Sequence, residues 1–263
     1  MYRIFDIETR VDKELLRRVL YPNLAPPSDW PYGPDEYAYR KEVERLVGLT
    51  GEPNPMVAIG YHVPISIAVG KVDEKRRLED IISLPAHDEY SEPALLRAFW
   101  RGALNTLQAG GTFVTFNGRT FDFPVLEFAA LRSGIRIPSY FGKYGPRYRY
   151  QDDHHFDMLD FLLNHGSVQA KALTGGLNWA LAAVGLPVKT DVTGADVQRL
   201  YEAGELERIH SYCRSDVLSE YGLFLRIEVI RGNLLLERAL ELTRDAYSRF
   251  GKDSPLPFHD NEP

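Results

Sequence analysis

Apolar positions along the chain switch repeatedly between the two-residue spacing of strands and the three-to-four-residue spacing of helices. Residues 2–7 read as a first strand, with Ile4 and Phe5 leading into an acidic pair. Residues 11–20 have helical spacing, the Pro- and aromatic-rich stretch 21–35 excludes regular helix, and a second amphipathic piece covers 36–48. The whole of 10–54 therefore reads as an insertion between two strands. Residues 56–63 are apolar and β-branched enough for a second strand, 65–72 continue the sheet after a break at Pro64, and 77–84 fit an edge strand. Ser91-Glu92-Pro93 opens a helix, with serine at the cap and proline in the first turn, and Gly110-Gly111 ends it. Residues 112–116 have the profile of a buried strand, and helix follows over 124–132. Residues 138–156 read as a loop and 157–163 as a short apolar segment. Helices are predicted over 177–184, 205–231 and 234–249, and the polar tail from Gly251 is expected to fray. Strands alternating with helices predict an α/β architecture.

Composition narrows this little. The 263 residues allow one large domain or two small ones, and an apolar share of 44% is ordinary for a globular chain. No stretch approaches the roughly 18–20 apolar residues of a membrane span, and the N-terminus lacks a secretory-signal pattern. Cys213 is the only cysteine, which excludes an internal disulfide and a cysteine zinc site and fits a cytoplasmic setting. The net charge of −6 argues against a protein that coats nucleic acid by bulk electrostatics. It leaves room for a nuclease, because site carboxylates add negative charge that bound cations reverse locally.

The candidate chemistry lies in three acidic motifs. Asp6 and Glu8 are two apart, so on a strand they share one face while Ile7 points to the other. Asp122 follows a predicted buried strand, at a helix entrance reached through Asn117, Gly118 and Thr120. Capping accounts equally well for Thr120 or Asp122, and an Asx turn for Asn117. Tyr212 and Asp216 are four apart and share one face of a helix. Clustered carboxylates repel one another, and a fold that gathers them usually does so to hold hard divalent cations.

These motifs, in this order, resemble the DEDD superfamily of 3′–5′ exonucleases in its tyrosine-bearing branch, most closely the exonuclease domain of family B DNA polymerases. Phe-Asp-Ile-Glu-Thr at 5–9, Phe-Asn-Gly-Arg-Thr-Phe-Asp at 116–122 and Tyr-Cys-Arg-Ser-Asp at 212–216 carry the resemblance. It implies a ribonuclease H-like fold, with a mixed β-sheet flanked by helices, over residues 1–235. The 10–54 insertion and a C-terminal helix and tail over 236–263 lie outside it. It further implies two ions, Mg²⁺ or Mn²⁺. Asp6 would bridge both, Glu8 and Asp216 would complete the site of one, and Asp122 would hold the other. Tyr212 would orient the attacking water; with an unperturbed pKa of about 10 it is a poor general base at neutral pH. Thr9, Asn117 and Phe121 are candidates for the terminal-nucleotide pocket, with Phe121 either stacking on a base or packing under the helix start.

Other signals compete. The loop 140–150 interleaves Tyr, Phe, Lys and Arg, a pattern that grips single strands or, equally, pins a long loop to the body. Asp152, Asp153, His154, His155 and Asp157 form a possible second metal cluster, with Asp157 alternatively a cap. His-Asp dipeptides at 87–88 and 259–260 lack the helical context of metal phosphohydrolases, and Cys213 reads as a buried inert thiol. The expectation is a metal-dependent 3′–5′ exonuclease acting on single-stranded nucleic acid with a free 3′ end, DNA first, releasing nucleoside 5′-monophosphates. No attached polymerase is expected in a chain of 263 residues. The alternatives are a 3′–5′ exoribonuclease and a non-catalytic binding module on the same fold.

Overall fold

The computed structural model describes residues 1–84, 91–143, 145–169, 173–188 and 194–251. The His-Asp dipeptides at 87–88 and 259–260 and the tail beyond Gly251 lie outside these. Among the described residues five strands form one sheet: β1 (Tyr2–Val11), β2 (His62–Val72), β3 (Leu78–Leu84), β4 (Thr112–Thr115) and β5 (His155–Asp157), in the order β3-β2-β1-β4-β5. β1, β2 and β3 pair antiparallel, whereas β4 and β5 run parallel to β1. A mixed five-stranded sheet with helices against it gives the α/β, ribonuclease H-like architecture expected from the sequence.

Side-chain alternation along β1 sets the layers. Phe5 and Ile7 pack with Ile67 against α3 (Glu92–Gln108) and α4 (Asp122–Ser133). Ile4 faces the other way and packs with Ala68, Val72 and Val114 against α8 (Leu206–Ile230) and α9 (Leu236–Phe250). Asp6 and Glu8 share the parity of Ile4 and therefore point toward α8. Gly70 on β2 lets that helix lie close. A Cβ there would stand 2.9 Å from Val217 Cγ1 and 3.2 Å from Leu78 Cδ1.

Between β1 and β2 the chain makes an excursion through α1 (Lys13–Leu20) and α2 (Pro34–Thr50). These helices close a small core of their own around Leu16, Ala38 and Val57. Val11 pairs with His62, and the Asp12 N–H donates to Tyr61 O at 2.7 Å, so the excursion leaves and rejoins the sheet at one point. Lys13 ties α1 to Glu36 on α2 and to Glu202 on a further helix, α7 (Gly194–Glu202).

Several sequence expectations need correction. The second strand begins at His62 rather than near residue 56, because Ile59–Tyr61 forms a 3-10 turn closed by Tyr61 N–H on Ala58 O. Pro64 does not interrupt it. Glu8 pairs with Ser66 and Thr9 with Pro64, so Ile65 is the extra residue of a bulge, and a bulge tolerates a residue without an N–H. The 138–156 loop contains a 3-10 turn at Pro138–Phe141 and ends in β5, which continues into α5 (Met158–Leu162). α6 (Gly176–Ala183) lies where helix was predicted, whereas α7 was not foreseen. Among the described residues no helix is long and apolar enough to cross a membrane.

Candidate catalytic site

β1 outruns β4. The two strands pair only over Tyr2–Ile4, so beyond Ile4 the edge of β1 is not paired with β4. This overhang lies at the carboxyl ends of the parallel strands β1 and β4, where the order of the chain along the sheet reverses. Open α/β sheets usually bind ligands at such points. Asp6 and Glu8 project from this overhang toward α8, which brings Asp216 to meet them. One carboxylate oxygen from each of Asp6, Glu8 and Asp216 lies within 4.8 Å of the others, and Glu8 and Asp216 are buried.

Asp122 approaches the same part of β1 as the first residue of α4. The preceding turn is tightly built. Asn117 takes a left-handed φ of 68°, and a Cβ on Gly118 would fall 2.5 Å from Thr115 Oγ1. The Asp157 carboxylate clamps this turn by accepting the N–H groups of Asn117 (3.1 Å) and Arg119 (2.8 Å), and it also caps α5 through Leu159 and Asp160. Asp122 is fully interior. Burial, then the charge of Asp6, pushes its carboxyl well above the ordinary range, and bonds from its own N–H and that of Ile7 offset part of this. The Ile7 bond joins the start of α4 to the overhanging part of β1. Asp122 is not one of the three acids gathered within 4.8 Å, but it lies close enough to feel Asp6.

Tyr212 sits one helical turn before Asp216. Its ring packs against the cluster of Ile65, Val197, Leu200 and Ile209, to which the unforeseen helix α7 contributes two members. Burial, followed by the charges of Glu8 and Asp6, raises the phenol above its ordinary pKa, and the hydroxyl keeps its proton. Cys213 is buried, with Sγ 3.3 Å from Asp6 O as a donor, and burial raises its thiol too. The sulfur fixes α8 to β1 and is no nucleophile.

Two of the three pocket candidates, Thr9 and Phe121, meet at His62, and the third, Asn117, lies in the turn before α4. The Thr9 hydroxyl is 2.7 Å from Nδ1 of His62, whose Nε2 is 3.1 Å from Val57 O. With Nε2–H donating to that carbonyl, Nδ1 accepts from Thr9. Burial holds the imidazole below its ordinary pKa, in keeping with this neutral tautomer. Phe121, half-buried over the α3–α4 core, meets the same imidazole edge to face at 5.5 Å. Asn117 accepts the Thr120 hydroxyl. His62 was not singled out from the sequence, where a lone histidine between apolar residues carries no signal.

The second acidic and histidine cluster does not assemble. Asp152 pairs with Arg231 at 3.2 Å, Asp153 accepts the Gln151 amide, and His155 is buried against Phe123 with Nε2 2.9 Å from Thr115 Oγ1. Among the described residues the group formed by Asp6, Glu8 and Asp216 is the one able to hold a metal. Its donors are all carboxylate oxygens, the set preferred by hard ions such as Mg²⁺ and Mn²⁺.

Residues 54–254 match the model of a family described as predicted 3′–5′ exonucleases related to the exonuclease domain of PolB. The chain belongs to this family. No curated protein matches the sequence. Membership supports exonuclease activity in general terms. Asp122, Tyr212 and Asp216 fall within the matched exonuclease segment. Asp6 and Glu8 precede it, separated by the α1–α2 excursion, and meet Asp216 where α8 lies against β1.

Proposed function

We propose that the protein removes nucleotides from the 3′ end of single-stranded DNA and releases nucleoside 5′-monophosphates. It would do so with two Mg²⁺ or Mn²⁺ ions held by Asp6, Glu8, Asp122 and Asp216. The gathering of three carboxylates within 4.8 Å at the overhanging end of β1 carries this reading. When bound, the ions supply an acidified water and positive charge at the reacting phosphate. Asp6 and Glu8 on β1 and Asp216 on α8 would hold that charge, and Asp122 at the start of α4 would share in it. Tyr212 stays protonated, so its hydroxyl orients the attacking water rather than removing its proton. Thr9, Asn117 and Phe121 form the rim that receives the terminal nucleotide. The lone buried thiol of Cys213 suits a reducing cytoplasmic setting.

The test uses matched 5′-labelled DNA and RNA oligonucleotides with Mn²⁺, each with a free or a phosphorylated 3′ end. The expected result is stepwise shortening of the DNA with a free 3′ end. Faster shortening of RNA would reassign the substrate. Internal cleavage, or equal cleavage of blocked ends, would remove the exonuclease assignment. Binding without any shortening would leave a non-catalytic module.

A further inference from the structure

We propose that the 138–150 loop carries a second contact surface for the substrate strand, which grips nucleotides on the 5′ side of the one being removed. The proposal rests on the exonuclease reading above and extends it to residues outside the carboxylate site. One part of the loop does pin it to the body: Tyr140 is buried against Trp100 and Phe123 and donates its hydroxyl to Glu127 at 2.7 Å. The rest faces out. Phe141, Tyr148 and Tyr150 are exposed, Tyr150 by 72%, a large fraction for an aromatic ring that serves only packing. Arg147 and Arg149 stand among these rings. Each touches one carboxylate (Glu127 at 3.4 Å, Asp160 at 2.7 Å), yet their side chains remain 58% and 45% exposed. Asp160 is further shared with Arg119 at 3.7 Å and Asp157 also lies near Arg119 and Arg149, so what the patch offers a phosphate is the exposed part of Arg147 and Arg149. In a chain of net charge −6 such a patch attracts a polyanion locally. Exposed rings interleaved with arginines fit a single strand, whose bases stack while its phosphates pair.

The patch continues from the site. Asn117 and Arg119, in the turn before Asp122, are held by Asp157 at the end of β5. The Arg119 guanidinium then donates to Pro146 O at 3.3 Å and meets Asp160, which also holds Arg149. The route therefore runs from β1 past the ends of β4 and β5, two strand spacings of about 4.8 Å each. A strand whose 3′ end lies at Asp6 and Glu8 and whose body crosses this edge meets the loop with the nucleotides behind its terminus.

The test is fluorescence anisotropy with labelled oligothymidylates in EDTA, so that hydrolysis plays no part. The two probes are a trinucleotide and a strand of about a dozen residues, within the usual span of single-strand sites. The wild type should bind the longer strand more tightly. In Tyr148→Ala/Tyr150→Ala that gain should fall about fivefold or more per lost stacking contact. In Arg147→Ala/Arg149→Ala the slope of log affinity against log salt should drop by about 0.7 per lost phosphate contact. Tyr150→Ala alone, at the most exposed ring, keeps the test open should the double variants misfold. Equal binding of both lengths by the wild type, or undiminished binding by well-folded variants, overturns the proposal. Oligouridylate in parallel shows whether the strand is DNA or RNA. Because binding is read without turnover, a failure here is distinct from a wild type that degrades nothing with Mn²⁺.

Discussion

Asp122 has a measurable effect on stability before any metal binds. Its carboxyl is pushed up in the fold by burial and by Asp6, so ionisation is easier in the unfolded chain. The resulting cost is absent below the unfolded carboxylate range, near pH 4, grows as pH rises, and is complete once the folded value is passed. Asp122→Asn should therefore raise the thermal midpoint in EDTA at pH 7, by about 2–4 °C for each kcal/mol of relieved penalty, and the gain should vanish near pH 3. A lower midpoint at pH 7 would show that the charge is not costly. Tyr212 gives a kinetic counterpart. Its phenol is raised by burial and by Glu8 and Asp6, so it should not titrate below about pH 10. Tyr212→Phe should slow turnover by roughly 10- to 100-fold, the usual scale for a positioning contact, and leave the shape of the pH–rate profile unchanged. Loss of an alkaline or acid limb in that variant would instead make Tyr212 a proton carrier.

At the scale of elements, α8 is placed by the absence of a side chain. Gly70→Ala would set a methyl 2.9 Å from Val217 Cγ1, next to Asp216 in sequence. Overpacking of this kind costs about 1–3 kcal/mol. Urea unfolding should show that loss, and Val217→Ala in the same chain should restore part of it. Additive losses in the double variant would mean that the two positions do not clash. The elements most legible in the sequence were those with long regular spacing, α3 and α8 above all. The same-face pairing of Asp6 with Glu8, and of Tyr212 with Asp216, also followed from spacing alone. That the two pairs face each other is tertiary information, supplied by the strand order and by α8 lying on β2. The start of β2 was misread because apolar residues before His62 form a turn, and because Pro64 sits at a bulge that no local pattern announces. β5 has only three residues, too few for a period. α7 opens with Gly194-Ala195-Asp196, and its buried apolar positions among the described residues are Val197 and Leu200, so its helical stripe is thin. Yet α7 packs the catalytic candidate Tyr212, and His62, equally silent in the sequence, holds Thr9.

For the whole molecule, the α1–α2 excursion leaves and returns at neighbouring backbone groups, Asp12 N–H and Tyr61 O. Replacing residues 13–60 with a tight turn should preserve a single cooperative unfolding transition at lowered stability, since the Lys13 bridge to Glu202 on α7 is lost. A molten, non-cooperative product would make the excursion part of the principal core rather than an addition to it. The most direct test of the account is the time course of a 5′-labelled single-stranded DNA with Mn²⁺, run with the wild type and with Asp6→Asn, at matched melting temperatures. The account predicts a one-nucleotide ladder growing from the 3′ end for the wild type and intact substrate for the variant. A ladder of equal rate from both proteins would contradict it.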